Sequence, residues 1–143
     1  MKNEKSKSTL ALMEQAVMIL VFAVAATLCV QAFVRAELYS DELYRRDRAV
    51  NLCQTVAETI KAKQGDRKAA AAVLDATETD RGLLLHYNKE WETVPESDAA
   101  YVLCLEETDR DGYMTVAQVR VTLIKSGEEV FALPVSWQEV AYE

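Results

Sequence analysis

From Ala16 to Val34 the chain reads AVMILVFAVAATLCVQAFV, nineteen residues in which only Thr27 and Gln31 are polar and none is charged. As a helix this run spans roughly 28 Å, near the hydrocarbon thickness of a bilayer. A helix buried in a soluble core shows a polar stripe where it meets water, and this one has none. The pattern predicts a membrane-crossing helix, counted from Leu10 to Val34. Beyond it, Ala36, Tyr39, Leu43, Arg46, Val50, Cys53, Ala57 and Ile60 recur at alternating three- and four-residue spacing, with Arg46 the one polar interruption. That period belongs to an amphipathic helix continuing the first. Ala49, Leu52 and Val56 widen the stripe only in its second half, whereas Ser40 to Arg48 is mostly charged. The helix is therefore expected to cross a solvated stretch, bury a broad face from about Ala49 onward, and stop at Gly65.

A short alanine-rich helix follows, about Asp66 to Leu74, with Asp66 as its N-cap. Thr77 to Arg81 reads as a loop. From Gly82 the period becomes two, which marks strands. Leu83 to Tyr87 and Trp91 to Val94 read as short strands around Asn88-Lys89-Glu90, and Pro95 to Asp98 as a turn. Ala100 to Glu107 is a strand, turned back by Asp109-Arg110-Asp111-Gly112. In Tyr113 to Ile124, Ala117, Val119, Val121 and Leu123 face one way and Gln118, Arg120 and Thr122 the other. Lys125 to Glu128 makes a second hairpin, after which Phe131, Leu133 and Val135 alternate inward, with Trp137 and Val140 to follow. The fold class expected is α+β: a long N-terminal helix whose second half covers the apolar face of a small antiparallel sheet. The divisions are a leader-like segment 1–9, a membrane helix 10–34, an amphipathic continuation 35–65 and a sheet domain 66–143.

Charge refines this picture. Of the chain's 16 basic and 23 acidic residues, the first 34 positions hold three lysines, Glu4 and Glu14, a net of +1, and the remainder nets −8. So acidic a domain argues against nucleic acid, which needs a basic face. Lys2, Lys5 and Lys7 lie close before the membrane helix, while only Arg35 lies close behind it. This places the N-terminus in the cytoplasm and the C-terminal domain outside it, a single-pass protein of the cell membrane. A cleaved secretory signal would need a small-x-small site, and the nearest, Val34-Arg35-Ala36, has an arginine within it. Cys29 follows Leu28, where a lipoprotein signal has a small residue. The helix is therefore expected to be retained. Cys29, Cys53 and Cys104 are too few and too scattered for a disulfide framework. Cys53 and Cys104 could pair if the helix packs on the strand bearing Cys104; otherwise both are small buried apolar residues.

The search for chemistry returns little. His86 is the single histidine and reads as a strand-surface residue. The four glycines sit at turns or breaks, and none forms a phosphate-binding loop. Asp109-Arg110-Asp111-Gly112 lacks the further oxygen ligands and late glutamate of a calcium loop. Glu106, Glu107, Glu128 and Glu129 read as solvated charge near hairpin ends. No catalytic residue, metal ligand, cofactor or small-molecule substrate is expected, and the chain does not read as an enzyme. One residue stands apart. Glu14 lies within an otherwise apolar run from Leu10 to Val34, where a carboxylate is costly unless paired or solvated by headgroups.

A short lysine-bearing leader, then Leu10-Ala11-Leu12-Met13-Glu14, then about twenty apolar residues, resembles the N-terminus of type IV pilins and of the pseudopilins of type II secretion and competence systems. The stretch Arg48 to Glu58, RAVNLCQTVAE, is similar to the helix of minor pseudopilins. The resemblance implies leader cleavage between Thr9 and Leu10, and a Glu14 that pairs with a neighbour's N-terminal amine during assembly. Thr9 stands where the family has glycine, and Leu10 where it usually has phenylalanine or methionine. The function expected is that of a structural subunit of a pilus, a pseudopilus or its assembly complex. Its partners would be membrane lipid, other pilin-like subunits and assembly-platform proteins. The alternative is a monomeric single-pass protein with an extracytoplasmic protein-binding domain.

Overall fold

The computed structural model describes residues 2–138, with the backbone alone for residues 2–6. The elements are α1 (Lys2–Ala62), α2 (Arg67–Leu74), β1 (Thr77–Thr79), β2 (Gly82–Tyr87), a 3-10 turn (Glu96–Asp98), β3 (Tyr101–Asp111), β4 (Met114–Leu123) and β5 (Glu129–Gln138). The five strands form one antiparallel sheet in sequence order, β1-β2-β3-β4-β5. The chain divides into two compact units, residues 1–42 and 43–143.

The first unit is the N-terminal part of α1. Its large apolar side chains lie open, Leu10 at 65% exposure and Phe33 at 77%. This stretch makes α1 long and apolar enough to cross a membrane. Thr27, one of the two polar residues between Ala16 and Val34, donates its hydroxyl to the Ala23 carbonyl at 2.8 Å. That internal bond removes most of the cost of placing a hydroxyl among hydrocarbon.

In the second unit α1 first runs exposed, with the Arg48 guanidinium over the Tyr44 ring at 5.4 Å and its Nε donating to the phenol at 3.1 Å. Burial begins at Ala49 and continues through Cys53, Val56, Ala57 and Ile60, the face expected from the pattern. These side chains meet Leu83 and Leu85 of β2, Leu103 and Leu105 of β3, Ala117, Val119 and Val121 of β4, and Val135 and Trp137 of β5. Each fully buried aliphatic side chain contributes about 1.5–3 kcal/mol relative to exposure, so this layer of α1 on sheet is the main source of stability. Phe131 and Leu133 are only partly buried against it. Val140 lies outside the described residues.

Helix ends follow their local chemistry. Gln64, at φ 54°, takes the left-handed position after α1, ahead of Gly65 at φ 83°. The Gly65 N–H bonds the Ile60 carbonyl and the Gln64 N–H that of Lys61, the paired bonds of a Schellman ending. A Cβ on Gly65 would lie 2.8 Å from Cδ1 of Trp137, so the indole closes over a position that only glycine fits. Asp66 caps α2 by accepting from the Ala69 N–H at 3.0 Å, as its sequence position indicates.

Three expectations are corrected. Thr77 to Thr79 is a strand rather than a loop: it pairs with Gly82 to Leu84 through a tight turn at Asp80-Arg81. Trp91 to Val94 is not a strand; it holds a single bridge, Thr93 to Tyr87, because Trp91 turns the chain at φ 66°. The β3–β4 reversal sits at Gly112-Tyr113, one step later than expected, with Gly112 at φ 58° in the first turn position. Two residues are extra to the ladder. Thr108 bulges from β3 between Glu107 and Asp109, and Val130 from β5 opposite the Val121–Thr122 step.

Candidate functional site

Glu14, Thr9 and Leu10, the residues singled out from the sequence, all lie exposed on the first turns of α1. The Thr9–Leu10 bond is inside the helix. Around Glu14, the positions three and four residues away are Leu10, Ala11, Val17 and Met18, none able to donate a hydrogen bond from its side chain. Among the described residues Glu14 forms no ion pair or side-chain hydrogen bond. A shallow hollow further along, lined by Arg35, Leu38, Tyr39 and Glu42, lies on the surface of this one helix and encloses nothing.

The cysteines are separate and free. Cys53 is buried on α1, and burial pushes its thiol up to about 12. Cys104 lies between the inward-facing Leu103 and Leu105, so it points to the opposite face of the sheet, beside Leu84 and Arg120. Its thiol is also raised, by burial first and then by the Glu106 carboxylate. The sheet stands between the two thiols, which removes the pairing considered from the sequence. It also leaves Cys104 half-buried on the outer face rather than in the core. His86 is half-buried on that same outer face.

Polar contacts in the second unit hold loops. Arg67, at the start of α2, donates to the Asp80 carbonyl at 2.9 Å and lies 3.7 Å from the Glu107 carboxylate, tying the β1–β2 turn to β3. Arg120 lies 3.7 Å from Glu129 and donates to Gln118 at 2.6 Å. Two of the four glutamates read as solvated charge are thus ion-paired. After β2, Asn88 accepts from the N–H groups of Glu90 and Glu92 and donates to the Glu92 carboxylate, each at about 3 Å. This ring of bonds holds Trp91 in its left-handed conformation, where the indole stacks on Tyr101 at 4.2 Å and shuts the end of the core beside Tyr87. A bulky residue at positive φ is rare, and only Asn88, a side chain able to bond backbone two and four residues on, hinted at it.

Among the described residues no group of three or more His, Cys, Asp or Glu side chains is placed to hold a metal ion. Asp109, Arg110 and Asp111 belong to β3 itself. The features that remain for a function are the open apolar stretch of α1, its single carboxylate, and the sheet surface. Compared with models of known families, with characterised proteins and with solved structures, the chain matches none of them.

Proposed function

We propose that this chain is a pilin-like structural subunit, anchored in the cell membrane by the first part of α1, with its N-terminus in the cytoplasm and its sheet unit outside. In this reading it contributes α1 to a pilus, a pseudopilus or the complex that assembles one. One observation carries the reading. A single helix is apolar and uncovered over its membrane-length stretch, then becomes the cover of an antiparallel meander from Ala49 onward. An uncovered apolar helix can be solvated by lipid and later by like helices without refolding, which is what an anchor that becomes a filament core requires.

The test is site-specific photo-cross-linking in native membranes from Phe22 and Phe33. Adducts with other membrane-embedded helices are expected. Adducts with lipid alone would overturn assembly and favour a monomeric anchored binding domain, a reading to which Thr9 in place of the family's glycine lends weight.

A further inference from the structure

Two polar side chains interrupt the charge-free run before Arg35, and the helix treats them differently. The Thr27 hydroxyl bonds its own backbone, whereas the Gln31 amide forms no hydrogen bond among the described residues. An amide without a partner is costly in hydrocarbon, so Gln31 belongs where lipid itself offers an acceptor, at the level of the ester carbonyls. Four residues further on, a helix has advanced about 6 Å and turned about 40° past one full turn. Arg35 therefore follows Gln31 on one face, and Tyr39 follows Arg35. Their side chains lean toward the helix N-terminus, back toward the bilayer, which brings both into the roughly 5–8 Å of polar region outside the hydrocarbon edge. Arginine and tyrosine are the residue types that settle at that level.

Arg35, Leu38, Tyr39 and Glu42 line the shallow hollow on this face. Among the described residues, Arg35, Tyr39 and Glu42 form no side-chain hydrogen bond or ion pair. A hollow so open cannot retain a soluble ligand, but a lipid is already kept beside it by its own chains. We propose that this face of α1 seats one phospholipid headgroup of the kind that carries an ammonium beyond its phosphate, as in phosphatidylethanolamine. Gln31 donates to an ester carbonyl, and the Arg35 guanidinium and the Tyr39 hydroxyl donate to the phosphate. The Glu42 carboxylate accepts from the ammonium and repels a headgroup that is only negative, which makes the seat selective. Leu38 lies against the carbons between phosphate and ammonium, and Leu28 and Val24 continue the face toward the acyl chains. Glu37 and Asp41 fall on the far side of the helix and take no part. The inference rests on the anchoring part of the reading above and is independent of assembly.

The test uses the full-length protein in vesicles of equal phosphatidylethanolamine and phosphatidylglycerol. A photoreactive diazirine side chain stands at Leu38, and mass spectrometry identifies its adducts. Phosphatidylethanolamine adducts are expected to exceed those of phosphatidylglycerol by about fivefold, the scale of one charge pair at a membrane surface. Glu42→Lys should reverse the preference, and Arg35→Gln combined with Tyr39→Phe should lower the yield with both lipids. Glu37→Lys, which makes the same change of charge on the far side, should leave the preference as it is. Equal yields of the two lipids, or the same reversal from Glu37→Lys as from Glu42→Lys, would overturn the site. Adducts from Leu38 to protein in place of lipid would overturn it as well and give this face to helix contacts. Should the protein fail to float with the vesicles on a density gradient, the anchoring reading itself falls.

Discussion

Cys53 shows how one buried side chain sets a pH limit. Its thiol is pushed up from the ordinary 9.0 to about 12 by loss of solvent. A folded-state value above the unfolded one means that stability is fully present below pH about 9 and is lost as pH rises from there toward 12, at about 1.4 kcal/mol per pH unit. Urea unfolding of the sheet unit across that window should show this slope, and Cys53→Ala should flatten it. A residual slope above pH about 10 will remain from Tyr87, raised by burial first and by Cys53 second. An unchanged slope in Cys53→Ala would place the alkaline limit elsewhere. At this scale the sequence was partly legible. The burial of Cys53 followed from its place on the stripe, and the outward direction of Cys104 is implicit in the alternation of Leu103 and Leu105. Asn88 hinted at the left-handed turn at Trp91, but the place of the indole was not legible, because it stacks on Tyr101, ten positions away and on another element.

Among the elements, those with strong apolar periods were read correctly and those made by backbone pairing were not. β4 follows its alternation almost residue for residue. β1 has the sequence Thr-Glu-Thr and buries no side chain; it exists because β2 offers it a ladder. Both sheet edges are blunt, one because β1 is three residues long, the other because Pro134 interrupts the row of N–H groups on β5. Pro134→Val should restore that row and promote strand-to-strand association of the sheet unit. Analytical ultracentrifugation would show dimers or larger species at concentrations where the parent is monomeric; equal sedimentation of the two would mean that β5 is protected in another way.

For the whole molecule, the two compact units and the acidic C-terminal part imply that the sheet unit can be studied alone. The core residues of α1 begin at Ala49, and those described before it add none. A fragment starting at Leu43 should therefore be soluble, show mixed helix and strand by circular dichroism, and unfold cooperatively on heating. A broad, uncooperative transition would show that residues before Leu43 are needed for the core. The general architecture was legible in the sequence because a change of period, from 3.6 to two, separates helix from sheet. The candidate assembly surface was legible only as a lone carboxylate, since a surface used between copies leaves no mark on the packing of one.

The bulge at Thr108 bears on how this chain tolerates a change in length. Between Tyr101 and Leu105 every residue has a partner across the ladder, so losing one would turn the leucines of β3 away from α1. Thr108 has none. Its deletion leaves Glu107 opposite Ala117 and Asp109 opposite Val116, with both aspartates of the hairpin still directed away from the core. In terms of insertions and deletions, β3 carries one residue more than its register requires, and the hairpin beyond it can shorten there without disturbing what the helix covers.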